Sequence, residues 1–302
     1  MKKTVAFVIA LTLCLTGFAF GRRNHAAVNY IAEQHLTSKA RAAINEILDG
    51  RTLTEYGSYP DDMRLEVLIP IDRSLLMTDE AGNPVLKGPD GKPFCYGTDF
   101  FTDPEGNVTT TVAHGWYTTP DNTYVEVPYG ECVWYTRQYM NALKNWKVME
   151  KQERFIALVF LAHLVGDMHC PSHLHYTDGW DGNDGKYMVE YRGRQARYHS
   201  LWDTDMLVDR YVGGPYDFAY CADPIISGSL SRSDARKLLK ETQKGSLEDW
   251  CAQISSDCRV IYSIKAGDIL TSKTVTDFTY LGRDLVMQAG YRLAKILNDT
   301  FK

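Results

Sequence analysis

The segment AHLVGDMHCPSHLH, residues 162–175, gathers groups that bind protons or metal ions at the end of an apolar run. His163 and Asp167 are four residues apart, a spacing that puts two side chains on the same face of a helix. His199 and Asp203 repeat this spacing in YHSLWDTDML. Two His/Asp pairs that face one another would form a site for more than one metal ion.

The apolar residues around these pairs make them candidates for a metal site. An ionised Asp167 inside a helix of Ile, Leu, Val and Phe costs several kcal/mol unless a cation or a charged partner compensates it. Imidazole and carboxylate together are ligands that suit zinc. One such pair alone is typical of a helix-surface ion pair. The two pairs together with His173, which follows Pro171 on a predicted loop, favour a metal site.

The elements that must position these groups are mostly helical. Between 79 and 113, Gly and Pro separate short stretches rich in Val, Phe, Tyr and Thr, which predicts a β-hairpin insertion and the only strand region. Loops are predicted at 170–196. Apolar residues at helical spacing predict two helices within 24–48, the second capped by Thr37 or Ser38, and further helices at 131–147, 150–169, 198–210, 231–243, 245–257 and 276–298.

The first 19 residues have the form of a signal peptide, because MKK precedes an apolar stretch of the right length. Gly17 and Ala19 are small residues at the positions that the peptidase reads, so cleavage is expected before Phe20. We therefore expect a periplasmic or secreted protein with one mainly α-helical domain at 20–302. An even number of cysteines remains after cleavage and permits several disulfide pairings, none of which the sequence selects: Cys95, Cys132, Cys170, Cys221, Cys251 and Cys258.

The charge balance excludes some classes of function. The formal net charge of −5 does not suggest a sequence-reading DNA-binding protein, whereas it suits a chain whose acids are offset by bound cations. We expect no stable membrane insertion, and no protein partner is predicted.

Several motifs together resemble the zinc-dependent single-strand nucleases of the S1/P1 type, which are relatives of the bacterial zinc phospholipases C. HLVGDMHCPSH, the Gly-Asn at 182–183 and HSLWD resemble the central signature, with Cys-Pro-Ser-His at 170–173 where the family has Gln-Pro-Leu-His. FGRRNH at 20–25 is similar to the family's opening Trp-Gly-x-x-Gly-His, and YPDDMR at 59–64 to Trp-Ala-Asp-x-x-Arg. The motif VAHGWYTT and the segment YLGRDLVMQAGYRLAKILND are also similar to family motifs.

The resemblance implies a mainly helical fold and a site for three zinc ions. Asp167 would bridge two of the ions, and Phe20 would bind through its free α-amino group and carbonyl. Asp62 is an alternative to Asp61 as a ligand. The implied ligands are Phe20, His25, Asp61, His114, His163, Asp167, His173, His199 and Asp203.

The resemblance also implies catalytic and substrate-binding roles. Asp61 would orient the attacking hydroxide, and Arg64 would bind a phosphate oxygen. Trp116 and Tyr117 would contact the substrate, with ordinary packing as the alternative. Tyr117 stands where the nucleases have an aspartate, and a tyrosine ring stacks on a base but does not accept hydrogen bonds from base edges as a carboxylate does.

The function implied is an exported zinc-dependent phosphodiesterase, an endonuclease acting on single-stranded RNA or DNA, with 3′-nucleotidase activity as a further expectation. A phospholipase C acting on phospholipid head groups is one alternative. A metal-binding surface module with altered or lost catalysis is another. The sequence leaves open the physiological substrate, the base preference, the oligomeric state, the metal occupancy and the roles of Cys170 and of the 79–113 insertion.

Overall fold

Helices form most of the chain that the structure describes. The structure is a computed structural model, and it describes residues 20–60, 76–78, 84–86, 100–102, 110–112, 126–128, 131–176 and 187–302. The expectation of a mainly α-helical fold is confirmed. The described helices are α1 (Gly21–Gln34), α2 (Ser38–Ile47), α3 (Glu131–Leu143), α4 (Lys151–Met168), α5 (Tyr198–Ser200), α6 (Met206–Arg210), α7 (Pro215–Ala222), α8 (Arg232–Thr242), α9 (Leu247–Asp257) and α10 (Ser272–Thr300).

Short polar side chains determine where several of these helices begin. The Thr37 side chain accepts a hydrogen bond from the Ala40 amide at 3.2 Å, so Thr37 caps α2, one of the two capping residues expected from the sequence. Ser246 caps α9, and in turn the Asp249 carboxylate accepts a hydrogen bond from the Ser246 amide at 2.8 Å. Such reciprocal bonds satisfy backbone donors that have no partner inside the helix.

The apolar helix α4 lies at the centre of the core, as its composition predicts. Every residue from Ala157 to Met168 is buried. α4 packs against α3 and also contacts α1, α2 and α10. Because residues 157–168 are enclosed, a charged group in this part of the helix must find its partner inside the protein.

The first and last helices pack side by side. α10 is 29 residues long, and α1 packs more extensively on it than on any other described element. Apolar side chains on both helices are buried, including Val28 and Ile31 of α1 and Leu293 and Leu297 of α10. This packing fixes the orientation of α1.

Strands occupy more of the chain than the sequence analysis predicts. Antiparallel pairs join β1 (Leu76–Thr78) to β2 (Pro84–Leu86) and β4 (Thr110–Val112) to β5 (Glu126–Pro128), and β3 (Phe100–Thr102) pairs in parallel with β6 (Leu174–Tyr176). A further hairpin joins β7 (Met188–Tyr191) to β8 (Arg194–Arg197) through a turn in which Arg192 and Gly193 have φ of 51° and 76°.

The prediction that 79–113 contains the only strand region was therefore wrong, and so was the prediction of loops throughout 170–196. The β7–β8 pair was missed because Arg-Gly is a weaker turn signal than Asn-Gly or Asp-Gly, although it takes the same turn. The β3–β6 pair was missed because it joins segments that are distant in sequence, with no local signal.

Helix prediction failed at two places. The sequence analysis predicts a uniform helix at 198–210, whereas Leu201–Asp205 between α5 and α6 is a π-helix. Helix α7 was not predicted from the sequence. Its start signals were present in the sequence, since Pro215 occupies the first turn and the Asp217 carboxylate accepts a bond from the Gly214 amide at 2.8 Å.

No disulfide forms among the five cysteines that lie within the described residues: Cys132, Cys170, Cys221, Cys251 and Cys258. Cys95 lies outside them. None of the described helices is both long and apolar enough to cross a membrane.

A buried carboxylate after α7 joins three parts of the chain. Asp223 Oδ2 lies 2.9 Å from His35 Nε2, just after α1. Tyr291 of α10 donates a hydrogen bond to Oδ1 at 2.6 Å, and the Ile225 amide donates to the same oxygen at 2.7 Å. Burial alone would raise the pKa of Asp223, but hydrogen bonds from His35 and Tyr291 outweigh it and the pKa is lowered from 3.8.

We predict that Asp223→Ala lowers the free energy of unfolding by about 3 kcal/mol at pH 7, because it removes one partner of a buried pair. A depressed folded-state pKa stabilises the fold above the unfolded-state pKa, and this contribution is lost as the pH falls through the folded-state value. The difference from wild type should therefore shrink in acid. Urea unfolding with a chelator present, at neutral and acidic pH, measures it.

Asp277→Ala is the matched control, because this carboxylate pairs with Lys273 on the surface and is 53% exposed. It should change the unfolding free energy little. Equal effects of the two substitutions would contradict the proposed importance of the Asp223 cluster.

Candidate metal centre

One cluster of metal-binding groups forms where α1 crosses the C-terminal half of α4. His25 of α1 has its Nε2 atom 3.1 Å from Asp167 Oδ1, and His163 Nε2 lies 3.3 Å from Asp167 Oδ2. The two imidazole rings stack, with centroids 3.9 Å apart. All three side chains are buried. The two oxygens of one carboxylate thus face two different imidazoles.

A backbone carbonyl fixes the orientation of His163. Its Nδ1 atom lies 3.2 Å from the Gly57 carbonyl oxygen. Because a carbonyl only accepts, Nδ1 carries a proton, which leaves Nε2, the nitrogen that faces Asp167, available to a proton or a metal ion. Metal-binding histidines typically have their second nitrogen held in this way.

His25 reaches α4 at a position with no side chain. A Cβ atom added to Gly166 would lie 2.6 Å from His25 Nδ1 and 2.8 Å from its Cε1 atom. Glycine inside a helix costs about 1 kcal/mol relative to alanine. At Gly166 this free-energy cost is accompanied by the space that admits the imidazole ring of His25 from α1.

A second cluster lies directly beside the first. His173 ends a 3-10 turn, Pro171–His173, and its Nε2 atom is 4.0 Å from Asp167 Oδ1. The ring of His199 contacts that of His173 with centroids 5.3 Å apart, and His199 Nε2 lies 3.1 Å from Asp203 Oδ2. Asp203 belongs to the π-helix, a type of segment often found at functional sites.

Two further polar groups contact Asp203 from the loop after α4. The Ser172 hydroxyl donates a hydrogen bond to Asp203 Oδ1, and Cys170 Sγ lies 3.4 Å from the same oxygen. Burial, followed by repulsion from Asp203, raises the pKa of the Cys170 thiol well above its usual value. In this arrangement the thiol is protonated and donates.

The electrostatic balance of Asp167 indicates a place for a cation. Burial alone would raise its pKa, but attraction to His163 and then His173 lowers it to about 2, so the carboxylate is ionised. Neither of its oxygens has a hydrogen bond of acceptable geometry within the described residues, although imidazole nitrogens lie 3.1 and 3.3 Å away. His25, His163 and Asp167 thus converge as the ligands of a metal ion do, and this donor set suits zinc.

The end of α4 is held by a buried cation from the last helix. Arg292 of α10 lies 2.9 Å from His169 Nε2, while His169 Nδ1 lies 2.7 Å from the Val165 carbonyl. Burial and then the charge of Arg292 lower the pKa of His169 well below 6.5, so this imidazole is neutral. His169 therefore accepts from Arg292 and fixes the helix end that carries Asp167.

Comparison with known proteins identifies the family. The model of the S1/P1 Nuclease family matches residues 20–302. The chain belongs to the S1/P1 nuclease family. The family resemblance expected from the sequence motifs is confirmed, and the chain is a hydrolase of phosphodiester bonds.

Individual relatives agree with the family assignment. Nuclease S1 of Aspergillus oryzae is 25% identical over 96% of this chain and 96% of its own length. Endonuclease 3 of Arabidopsis thaliana is 25% identical over 55% of this chain, which spans 58% of that relative. Endonuclease 4 of the same plant is 33% identical over 23% of each chain.

The structure brings the described S1/P1-type ligand candidates together. His25, His163 and Asp167 form the first cluster, and His173, His199 and Asp203 form the second. Phe20 precedes α1 with its ring buried and its centroid 6.2 Å from that of His25. Five candidates lie outside the described residues: Asp61, Arg64, His114, Trp116 and Tyr117.

The sequence analysis missed the groups that support these ligands. Gly57 offers only its backbone carbonyl and Ser172 only one hydroxyl, and neither has a distinctive spacing. Gly166 and His169 could have been singled out from the sequence, since a glycine and a histidine are unusual in an apolar helix. Strand β3, part of the predicted insertion, pairs with β6 directly after His173, so this part of the insertion lies beside the second cluster.

We predict that Gly166→Ala weakens zinc binding at His25 by about 10-fold or more, because the new methyl group occupies the space of the imidazole. Metal analysis after dialysis against a graded zinc buffer measures this. Gly214→Ala is the matched control, because its backbone has φ −80° and the nearest atom to the new methyl would be 3.7 Å away. An unchanged zinc affinity in Gly166→Ala would contradict the proposed packing.

Proposed function

We propose that this chain is an exported zinc-dependent phosphodiesterase that cleaves single-stranded nucleic acid at a trinuclear zinc site. The observation that carries the proposal is the meeting of two buried His/Asp clusters through Asp167 and His173, whose nearest atoms are 4.0 Å apart. Membership in a nuclease family supports phosphodiester hydrolysis as the reaction.

The proposed ligand sets divide the site into three positions. His163 and Asp167, with Asp61 and His114, would hold the first zinc. His173, His199 and Asp203 would hold the second. His25 and the backbone amine and carbonyl of Phe20 would hold the third, and Asp167 would serve both the first and the third. The two oxygens of Asp167 support a bridging role, because one faces His163 and the other faces His25.

Bound zinc would supply Lewis acidity, which lowers the pKa of water toward about 7 and stabilises negative charge on phosphate oxygens. The chain's own groups orient the reactants. Asp61 orients the attacking oxygen, and Arg64 donates a charge-assisted hydrogen bond to a phosphate oxygen. Trp116 and Tyr117 offer rings on which a base can stack.

The exposure of the ligands supports one direction of approach for the substrate. The side chain of His199 is 18% exposed, whereas those of Asp167 and Asp203 are 0% and 1% exposed. The second cluster is therefore the side on which solvent reaches the described ligands. Phosphate is proposed to enter past His199, near the strand pair of β3 and β6.

We predict that Asp167→Asn lowers the hydrolysis of a single-stranded oligonucleotide by at least about 100-fold, because the neutral amide does not bridge two cations. Asp62→Asn is the comparison and should be less damaging, because Asp62 is only the alternative to Asp61 as a ligand. Chelation should abolish wild-type activity, and added zinc should restore it. Equal activities of the two variants would contradict the ligand assignment.

The same assay separates the alternatives when phospholipid vesicles are added as a second substrate. Cleavage of single-stranded RNA or DNA supports the proposal. Release of phosphocholine or diacylglycerol without cleavage of nucleic acid would assign the chain to the phospholipases C. Stoichiometric zinc binding without hydrolysis of either substrate would indicate a metal-binding surface module.

We predict that a protein that retains one residue before Phe20 loses the third zinc and most activity, because the backbone amine becomes an amide. Elemental analysis of the purified protein counts the bound metal. A protein with one residue added after the exposed Lys302 is the control and should bind all its metal. Full zinc content and activity in the N-terminally extended form would rule out Phe20 as a ligand.

A further inference from the structure

The loop between the two clusters buries two polar side chains on either side of a proline. Cys170 and Ser172 are both 0% exposed, and they flank Pro171 in the turn that ends with His173. Burying a thiol and a hydroxyl costs free energy unless each finds a partner. Their common partner is Asp203.

The available protons determine how this contact is arranged. The Ser172 hydroxyl has one proton, which it donates to Asp203 Oδ1. Cys170 Sγ lies 3.4 Å from the same Oδ1 and 2.9 Å from Ser172 Oγ. Since the serine proton is already used, the thiol proton is the one shared between these two oxygens. Asp203 Oδ1 therefore accepts hydrogen bonds from both Ser172 and Cys170.

The other oxygen of Asp203, Oδ2, accepts neither of these two hydrogen bonds. Oδ2 is buried, has no hydrogen bond of acceptable geometry within the described residues, and lies 3.1 Å from His199 Nε2. The terminal torsion of an aspartate is broad, so nothing intrinsic to the side chain decides which oxygen faces the histidines. The hydrogen bonds that Ser172 and Cys170 donate to Oδ1 remove this rotational freedom of the carboxylate.

We propose that Ser172 and Cys170 are positioning residues for Asp203, and that they hold Oδ1 so that Oδ2 is presented with His173 and His199 to the second metal ion. The inference rests on the proposed function for the presence of zinc at this position. The same 3-10 turn then supplies a ligand, His173, and the group that orients a second ligand. Partners of this kind typically change metal affinity by about 10- to 100-fold.

The test is a zinc titration in competition with a chromophoric chelator, which resolves the affinity of each site. Ser172→Ala should weaken the second site by about 10- to 100-fold and leave the others unchanged. Cys170→Ala should have a smaller effect, because a thiol is a weak donor. Cys170→Ser keeps a donor and should restore affinity toward that of wild type. Ser255→Ala, which removes another buried serine hydroxyl, on α9, should have no effect.

Cobalt substitution adds a readout that a general loss of stability would not change. In Ser172→Ala, the visible bands of cobalt at the second site should shift, because Asp203 is free to bind through either oxygen. Wild-type protein should lack a thiolate-to-cobalt charge-transfer band. Such a band, lost in Cys170→Ser, would make Cys170 a direct ligand and overturn its positioning role.

The outcomes separate the inference from the proposed function. If wild type binds zinc at the second site and Ser172→Ala binds it equally tightly, the inference alone is overturned. If wild type binds no zinc, both are overturned. Thermal unfolding of each metal-free variant identifies any that does not fold, and the pair Cys170→Ala and Cys170→Ser then still tests the inference.

Discussion

The site depends on one buried carboxylate that faces imidazoles from three separate segments. Asp167 is fully enclosed in α4, and its oxygens lie near His25, His163 and His173. An isolated charge in such a place is costly, and within the described residues neither oxygen of Asp167 has a hydrogen bond of acceptable geometry. A cation held between these groups would offset the charge of the carboxylate and bind the imidazole nitrogens, which accounts for so many polar groups at this point of the core.

Contacts from several parts of the chain hold the groups around this carboxylate in place. The Gly57 carbonyl sets the ring of His163, and the missing side chain at Gly166 admits His25. At the end of α4, the buried Arg292 holds His169, which in turn is bonded to the backbone of its own helix. These contacts come from regions distant in sequence, so the geometry of the centre reflects the packing of the whole domain.

The sequence predicted the helical frame and the ligand candidates because both depend on local patterns. The periodicity of α4 and the His/Asp pairs can be read within a few turns, and the family motifs add Phe20 and His25. What the sequence did not predict depends on tertiary contact or on backbone atoms. The β3–β6 pairing and the bonds from Ser172 to Asp203 have no periodic signal, because each arises where two separate segments meet, and the five-residue π-helix that contains Asp203 is too short to show a spacing of residues different from that of an α-helix.

The pairing of α1 with α10 joins two segments that are far apart in sequence and has a consequence for folding. Closing so large a loop costs conformational entropy, and contacts of high sequence separation slow folding. α1 packs on α10 more extensively than on any other described element, so without α10 it lacks the main surface that orients it and the His25 that it carries. The first cluster is therefore expected to form late in folding, after this long-range contact.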